Sequence, residues 1–295
     1  MSKPKVFHGT ITALVTPLDE DRVDFDALGR HVERQIAAGV DGLVPCGTTG
    51  ESPTLSHAEH DQVVEFVVRQ TKGRVPVIAG AGSNSTAEAV RLARKAAETG
   101  ADGVLVVNPY YNRPPQAGME RHFGAIAGAM DLPVMLYNIP GRTAVTLENT
   151  TIARLRERHS NITMVKHATG RVDDAAALAS MSDIVILSGD DPITLPLMAI
   201  GAVGVVSVIS NLAPRAMTRL TSAILSGDLA AGREAHKALW PLMSGLLGMQ
   251  VNPIPIKTAC AIRGWMSDSF RSPLCEMDAD GKVALRKLLD RFPLD

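Results

Sequence analysis

Eight short, almost continuously apolar runs recur along the chain, each followed by a loop and a stretch with helical spacing. They are TITALVTP (10–17), DGLVPC (41–46), VPVIAG (75–80), DGVLVV (102–107), LPVMLY (132–137), ITMVKH (162–167), DIVILS (183–188) and VGVVSVI (203–209). Runs this short and unbroken suit strands covered on both faces, as in a parallel sheet, rather than antiparallel strands with one wet face. Helix signals lie between them. Ser56-His57-Ala58-Glu59 has the form of a capping box and opens a helix expected to reach Lys72-Gly73. Ser85-Thr86-Ala87-Glu88 repeats the form, and its helix stops at Gly100. Another helix is expected over 116–130. Alternating strands and helices argue a parallel α/β fold. Eight units argue closure into a (β/α)8 TIM barrel, and no Gly-x-Gly-x-x-Gly follows the first run to favour an open doubly wound sheet. After residue 225 the pattern changes: 228–248, 253–266 and 280–291 read as helices with no strands between them. The expected division is a catalytic barrel over 1–226 and a C-terminal helical domain over 227–295.

Composition narrows the class of function. The chain has 295 residues, which a barrel of about 250 residues plus an appendage accounts for. A formal net charge of -1 gives no electrostatic reason to expect nucleic acid or an anionic membrane as partner. No apolar run approaches the roughly 20 residues of a membrane span, and MSKPKVFHGT lacks the apolar stretch of a signal peptide. Cys46, Cys260 and Cys275 are scattered and odd in number, so neither a disulfide framework nor a zinc cluster is expected, and the cytoplasm is the natural compartment.

In such a barrel, chemistry sits at the C-terminal ends of the strands. The sixth run ends in Lys166-His167. A lysine pointing into a barrel is costly to bury charged, so its pKa is expected to fall, and a neutral amine is what attack on a ketone requires. The same position also suits a lysine that escapes to solvent. Tyr137 ends the fifth run, and Tyr110 and Tyr111 follow the fourth. With Thr49 they offer hydroxyls for a proton relay, although tyrosines also cap a barrel mouth by packing alone. Gly47-Thr48-Thr49-Gly50 is a loop with exposed amides and two hydroxyls, able to hold a carboxylate or simply to turn the chain. Arg142, just past the fifth run, suits a two-bond grip on a carboxylate, or is a surface arginine. His57 and His60 lie one turn apart without a third metal ligand. GAGSN and GTTG lack the Lys-Ser/Thr of a P-loop, and no Gly-x-Ser-x-Gly elbow occurs.

GTTGES (47–52), PYYNRP (109–114), YNIPGRT (137–143), the lysine segment at 166–170, SGDD (188–191) and NPIPIK (252–257) occur in this order. Together they resemble the dihydrodipicolinate synthase family, within the N-acetylneuraminate lyase superfamily of pyruvate-dependent class I aldolases. The resemblance implies a cofactor-free lyase that condenses pyruvate with L-aspartate 4-semialdehyde in the diaminopimelate route to lysine. It implies a Schiff base on Lys166, with Tyr137 as central proton donor and acceptor and Thr49 and Tyr111 completing the relay. Tyr111 would cross from a neighbouring subunit within a homotetramer built from two tight dimers. Thr48 and Thr49 would hold the pyruvate carboxylate, Arg142 the carboxylate of the aldehyde, and Gly189 and Val206 would line the pocket.

Two positions depart from the family pattern: His167 stands where glutamate is usual and Pro53 where alanine is common. If the His167 side chain points away from the pocket the change is tolerated, since successive strand residues face opposite sides. The resemblance also implies a lysine-binding feedback site at Ser52, Pro53, His57, His60, Gly82, Asn84, Glu88 and Tyr110. Glu88 suits an ammonium there, but it also reads as the capping residue for Ser85. The competing readings are an aldolase for N-acetylneuraminate or a 2-keto-3-deoxy sugar acid, against which Arg142 speaks, and a non-catalytic keto-acid-binding barrel.

Overall fold

The structure, a computed structural model, describes residues 6–292; residues 1–5 and 293–295, which end the two expected domains, lie outside the described residues. All eight apolar runs form parallel strands: β1 (Gly9–Ala13), β2 (Gly42–Val44), β3 (Ile78–Gly80), β4 (Gly103–Val107), β5 (Val134–Asn138), β6 (Ile162–His167), β7 (Val185–Ser188) and β8 (Gly204–Ser207). They lie in the order β2-β1-β8-β7-β6-β5-β4-β3. The row's two ends meet through a parallel bridge between Leu43 and Val77, and Leu43 N and Gly80 N donate to Pro76 O and Pro45 O at 3.0 Å. The strands thus close into a TIM barrel. The first run is strand only as far as Ala13; Thr16, beyond it, donates from Oγ1 to Gly50 O at 2.7 Å and ties two loops of the mouth together.

The continuous apolarity follows from burial on two faces. Ile11, Val44, Ile78, Leu105, Met135, Met164, Leu187 and Val206 fill the barrel interior. Leu43, Val104, Val106, Leu136, Val165 and Ile186 face outward into a core shared with the surrounding helices.

Those helices are α1 (Phe25–Ala37), α2 (His57–Thr71), α3 (Thr86–Thr99), α4 (Gln116–Ala127), α5 (Asn149–Arg158), α6 (Val172–Met181), α7 (Thr194–Ala199) and α8 (Pro214–Leu225). The Ser56 capping box forms in full: Glu59 N donates to Ser56 Oγ at 3.3 Å and Ser56 N to Glu59 Oε2 at 2.8 Å. The chain leaves α2 through Lys72 in the left-handed region, φ 51°. The second capping box is a correction. Ser85 precedes α3 but its side chain makes no cap, and its N–H donates to Ser83 Oγ at 3.0 Å rather than to Glu88, whose carboxylate is held by other contacts described below. Helix α3 still ends at Gly100, φ 86°.

Past α8 come α9 (Leu229–Met249), α10 (Ile254–Ile262) and α11 (Ala279–Asp290). They share one core with the barrel: Leu239, Leu242, Met243, Leu246, Ile256, Cys260, Leu285 and Leu289 pack with Val15, Val205, Ile209, Met217 and Leu220. The helix expected over 253–266 stops at Ile262, ahead of Gly264 at φ 72°. Among the described residues no helix is long and apolar enough to cross a membrane.

Candidate active site

Strand β6 sets the site. It pairs with β5 in parallel register, Met135 with Met164, Leu136 with Val165, Tyr137 with Lys166 and Asn138 with His167. Because successive side chains alternate, Tyr137 and Lys166 point to the same side, inward, while His167 points outward. Lys166 is 5% exposed. Its Nζ lies 4.2 Å from the centroid of the Tyr137 ring, close enough for a cation–π contact. His167 is fully buried on the other side, with Nε2 2.9 Å from Asp174 Oδ2 of α6.

Around Lys166 opens a cavity of about 320 Å³. Gly47, Thr48 and Thr49 come to it from the loop after β2, Tyr137 and Arg142 from the end of β5, and Gly189 and Asp190 from the end of β7. Gly189 makes room for the lysine stem: a Cβ there would stand 3.0 and 3.1 Å from Lys166 Cγ and Cε and 2.7 Å from Ala168 Cβ. Val206 lies deeper, in the barrel interior at 1% exposure, and Val208 lines the cavity above it. Tyr111 stands apart. It is 89% exposed, at φ 71°, on the loop after β4.

Sequence reasoning gave no role to Asn252, whose only signal was its place in NPIPIK. Its Nδ2 donates to Thr49 Oγ1 at 3.0 Å, and its carbonyl accepts from Arg142 Nη2 at 3.0 Å. One residue from the C-terminal region thus spans the two walls that carry the hydroxyl and the guanidinium. Beneath it lies a fully buried ion pair, Lys257 Nζ to Glu51 Oε1 at 2.5 Å. Burial pushes the Lys257 pKa down while the Glu51 carboxylate holds it up. This pair anchors the GTTGES loop to α10.

The two aspartates after β7 differ. Asp191 is 2% exposed, and its Oδ2 accepts from Val208 N at 2.9 Å and Ile209 N at 3.1 Å. Asp190 is partly buried and lines the cavity. Burial raises its carboxyl above the ordinary aspartate range, and the Lys166 charge pulls it back.

A second cleft of about 380 Å³ lies next to the first. Ser52, Pro53, His57, His60, Gly82, Glu88 and Tyr110 line it, and it shares Thr48, Ile139 and Arg142 with the Lys166 cavity. Asn84 is not among the lining residues; its carbonyl accepts from Asn112 Nδ2 at 2.9 Å. Glu88 is fixed by Ser83 Oγ, which donates to Oε2 at 2.5 Å, and by His57 Nε2, 2.5 Å from Oε1. These contacts, the Ser83 hydroxyl foremost, hold its carboxyl below the usual range. Burial lowers the pKa of His60.

Comparison with known proteins agrees with this geometry. The 4-hydroxy-tetrahydrodipicolinate synthase of Endomicrobium trichonymphae is 47% identical over 290 residues, 98% of this chain and 99% of that protein. The crystal structure of dihydrodipicolinate synthase from Aquifex aeolicus superposes with a TM-score of 0.96 at 44% identity, covering 98% of this chain and all of that one. The structure of the enzyme from Cyanidioschyzon merolae with lysine bound superposes with a TM-score of 0.93 at 38% identity, covering 97% of this chain and 98% of that one. The profile of the dihydrodipicolinate synthetase family matches residues 6–292, and the chain belongs to that family.

Proposed function

We propose that this chain is a 4-hydroxy-tetrahydrodipicolinate synthase, a lyase that condenses pyruvate with L-aspartate 4-semialdehyde through a Schiff base on Lys166, in lysine biosynthesis. The observation that carries the reading is the inward-facing Lys166 beside Tyr137 in a cavity that Thr49 and Arg142 also line. Lys166 attacks the ketone of pyruvate. Tyr137 and Thr49 move the protons that carbinolamine formation and dehydration require. The amides and hydroxyls of Thr48 and Thr49 hold the pyruvate carboxylate, and Arg142 grips the carboxylate of the aldehyde. The enamine of pyruvate then attacks the aldehyde carbon. The amino group of the second substrate displaces Lys166 and closes the ring.

Tyr111 completes the relay from a second copy of the chain, a role that its 89% exposure and its absence from the lining of its own cavity support. A tetramer of two tight dimers and a cytoplasmic location belong to the same reading; Cys46, Cys260 and Cys275 are all free thiols. The second cleft, with Glu88 as its anion, is read as a feedback site for L-lysine, supported by the lysine-bound relative.

Turnover decides the substrate. Purified protein is expected to form product from pyruvate and L-aspartate 4-semialdehyde and to leave N-acetylneuraminate and 2-keto-3-deoxy sugar acids uncleaved. The opposite pattern refutes the reading. Initial rates are expected to fall as L-lysine is added, and rates flat to saturating lysine remove the feedback site alone.

A further inference from the structure

Asp190 is the charged group of the cavity to which the condensation assigns no role. Its backbone is well held: Ser188 Oγ donates to its carbonyl at 2.8 Å, and its own N–H donates to Ser188 Oγ at 3.2 Å. Its neighbour Asp191 is spent on the amides of Val208 and Ile209. The Asp190 carboxylate, by contrast, has no hydrogen bond or ion pair among the described residues, although it shares the cavity wall with Lys166, Gly189 and Arg142. An anion on the wall of a cavity whose two substrates both carry carboxylates is at first sight a liability, because like charges repel in a partly desolvated site. One group in the reaction turns it into an asset. The amino-aldehyde brings an ammonium, which also has to sit in a cavity that holds the positive charges of Arg142 and the imine.

We propose that Asp190 binds the ammonium of the amino-aldehyde substrate and accepts its proton when that nitrogen displaces Lys166. This rests on the condensation reading above. The ammonium gives a proton to the carboxylate, and the freed lone pair forms a bond to the imine carbon. The bond from that carbon to the lysine nitrogen then breaks, its electron pair staying on the lysine, which leaves as the amine after Asp190 returns a proton to it. Over the step the ammonium loses three protons: one ends on the lysine nitrogen and two pass to solvent. The raised carboxyl pKa suits an acceptor, since a more basic carboxylate takes a proton more readily.

The test compares two aldehydes, L-aspartate 4-semialdehyde and succinate semialdehyde, which keeps the carboxylate and lacks the amine. Asp190→Asn is expected to trap pyruvate on Lys166 with borohydride as the wild type does. Its kcat/KM for the amino-aldehyde is expected to fall about 100-fold or more, a usual share for positioned proton transfer. Binding of succinate semialdehyde, read by competition, is expected to hold or tighten. Unchanged kcat/KM, an equal loss toward both aldehydes, or loss of the pyruvate adduct overturns the proposal. Should the asparagine variant lose its cooperative melt, Asp190→Glu carries the comparison: the retained charge predicts slowed turnover of the amino-aldehyde with succinate semialdehyde unaffected, and loss of both overturns it. A wild-type protein that forms no adduct or no condensation product refutes the underlying reading before any variant is made.

Discussion

Gly189 and His167 show how much one position decides around Lys166. Only the absence of a Cβ at Gly189 leaves the lysine stem its path, with three side-chain atoms within 3.1 Å of where that carbon would stand. Gly189→Ala is therefore expected to cost about 1–3 kcal/mol of stability, as overpacking does, and to slow borohydride trapping of pyruvate; thermal melts and trapping rates check both. His167 was legible in part. Strand alternation allowed it to face away from the pocket, but nothing in the sequence pointed to Asp174 as its partner, because that contact depends on where α6 docks. His167→Glu would set a second carboxylate against Asp174 Oδ2 in a buried site. It is expected to lower the melting temperature while leaving the pyruvate adduct intact, and a melt equal to the wild type contradicts that account. Glu88 taught the reverse lesson. Its spacing from Ser85 fits a capping box, yet Ser83 and His57 compete for the same carboxylate and win it.

At the scale of elements, the strands were readable because burial on both faces leaves an unbroken apolar signal, whereas the devices that hold the loops were not. Arg271 joins the chain after α10 to the start of α2, donating to Glu59 Oε1 at 2.6 Å and to Thr54 O at 3.0 Å. These partners are more than 200 residues apart, so no local pattern announces them. Arg271, with Ser56, lowers the Glu59 pKa from 4.5 to about 2. A depressed carboxyl stabilises the fold above its unfolded pKa, and that contribution disappears as pH falls through the folded value. Glu59→Gln is thus expected to melt lower than wild type at neutral pH, with the gap closing between pH 4.5 and about 2. A gap that persists unchanged to the acid end contradicts the assignment. The Glu51–Lys257 pair asks a similar question under the active site. Lys257→Met leaves Glu51 buried and unpaired, a change that usually costs about 3–5 kcal/mol, and the double change Glu51→Gln/Lys257→Met is expected to recover much of it in denaturant titrations.

For the whole molecule, the boundary drawn at residue 226 marks a change of pattern, while the core runs across it. Val205, Ile209, Met217 and Leu220 are covered by α9, α10 and α11, and Asn252 reaches back to Thr49 and Arg142. The periodicity of a single segment carries no record of which distant segment covers it, which is why Asn252 escaped notice while Lys166 and Tyr137, at strand ends, and Thr49, in the loop after one, did not. Assembly is the next scale up. If Tyr111 serves a neighbour's site, Tyr111→Phe and Lys166→Ala proteins, each impaired alone, are expected to regain turnover when mixed and allowed to exchange subunits. No recovery after verified exchange places the Tyr111 contribution within its own chain or removes it.

The central claim is a covalent one, that Lys166 bonds to pyruvate. Incubation with pyruvate and borohydride, followed by mass analysis of peptides, tests it most directly. The account predicts one reduced pyruvate per chain, on Lys166, and none in Lys166→Ala. An unchanged mass, or an adduct on another lysine, would contradict it.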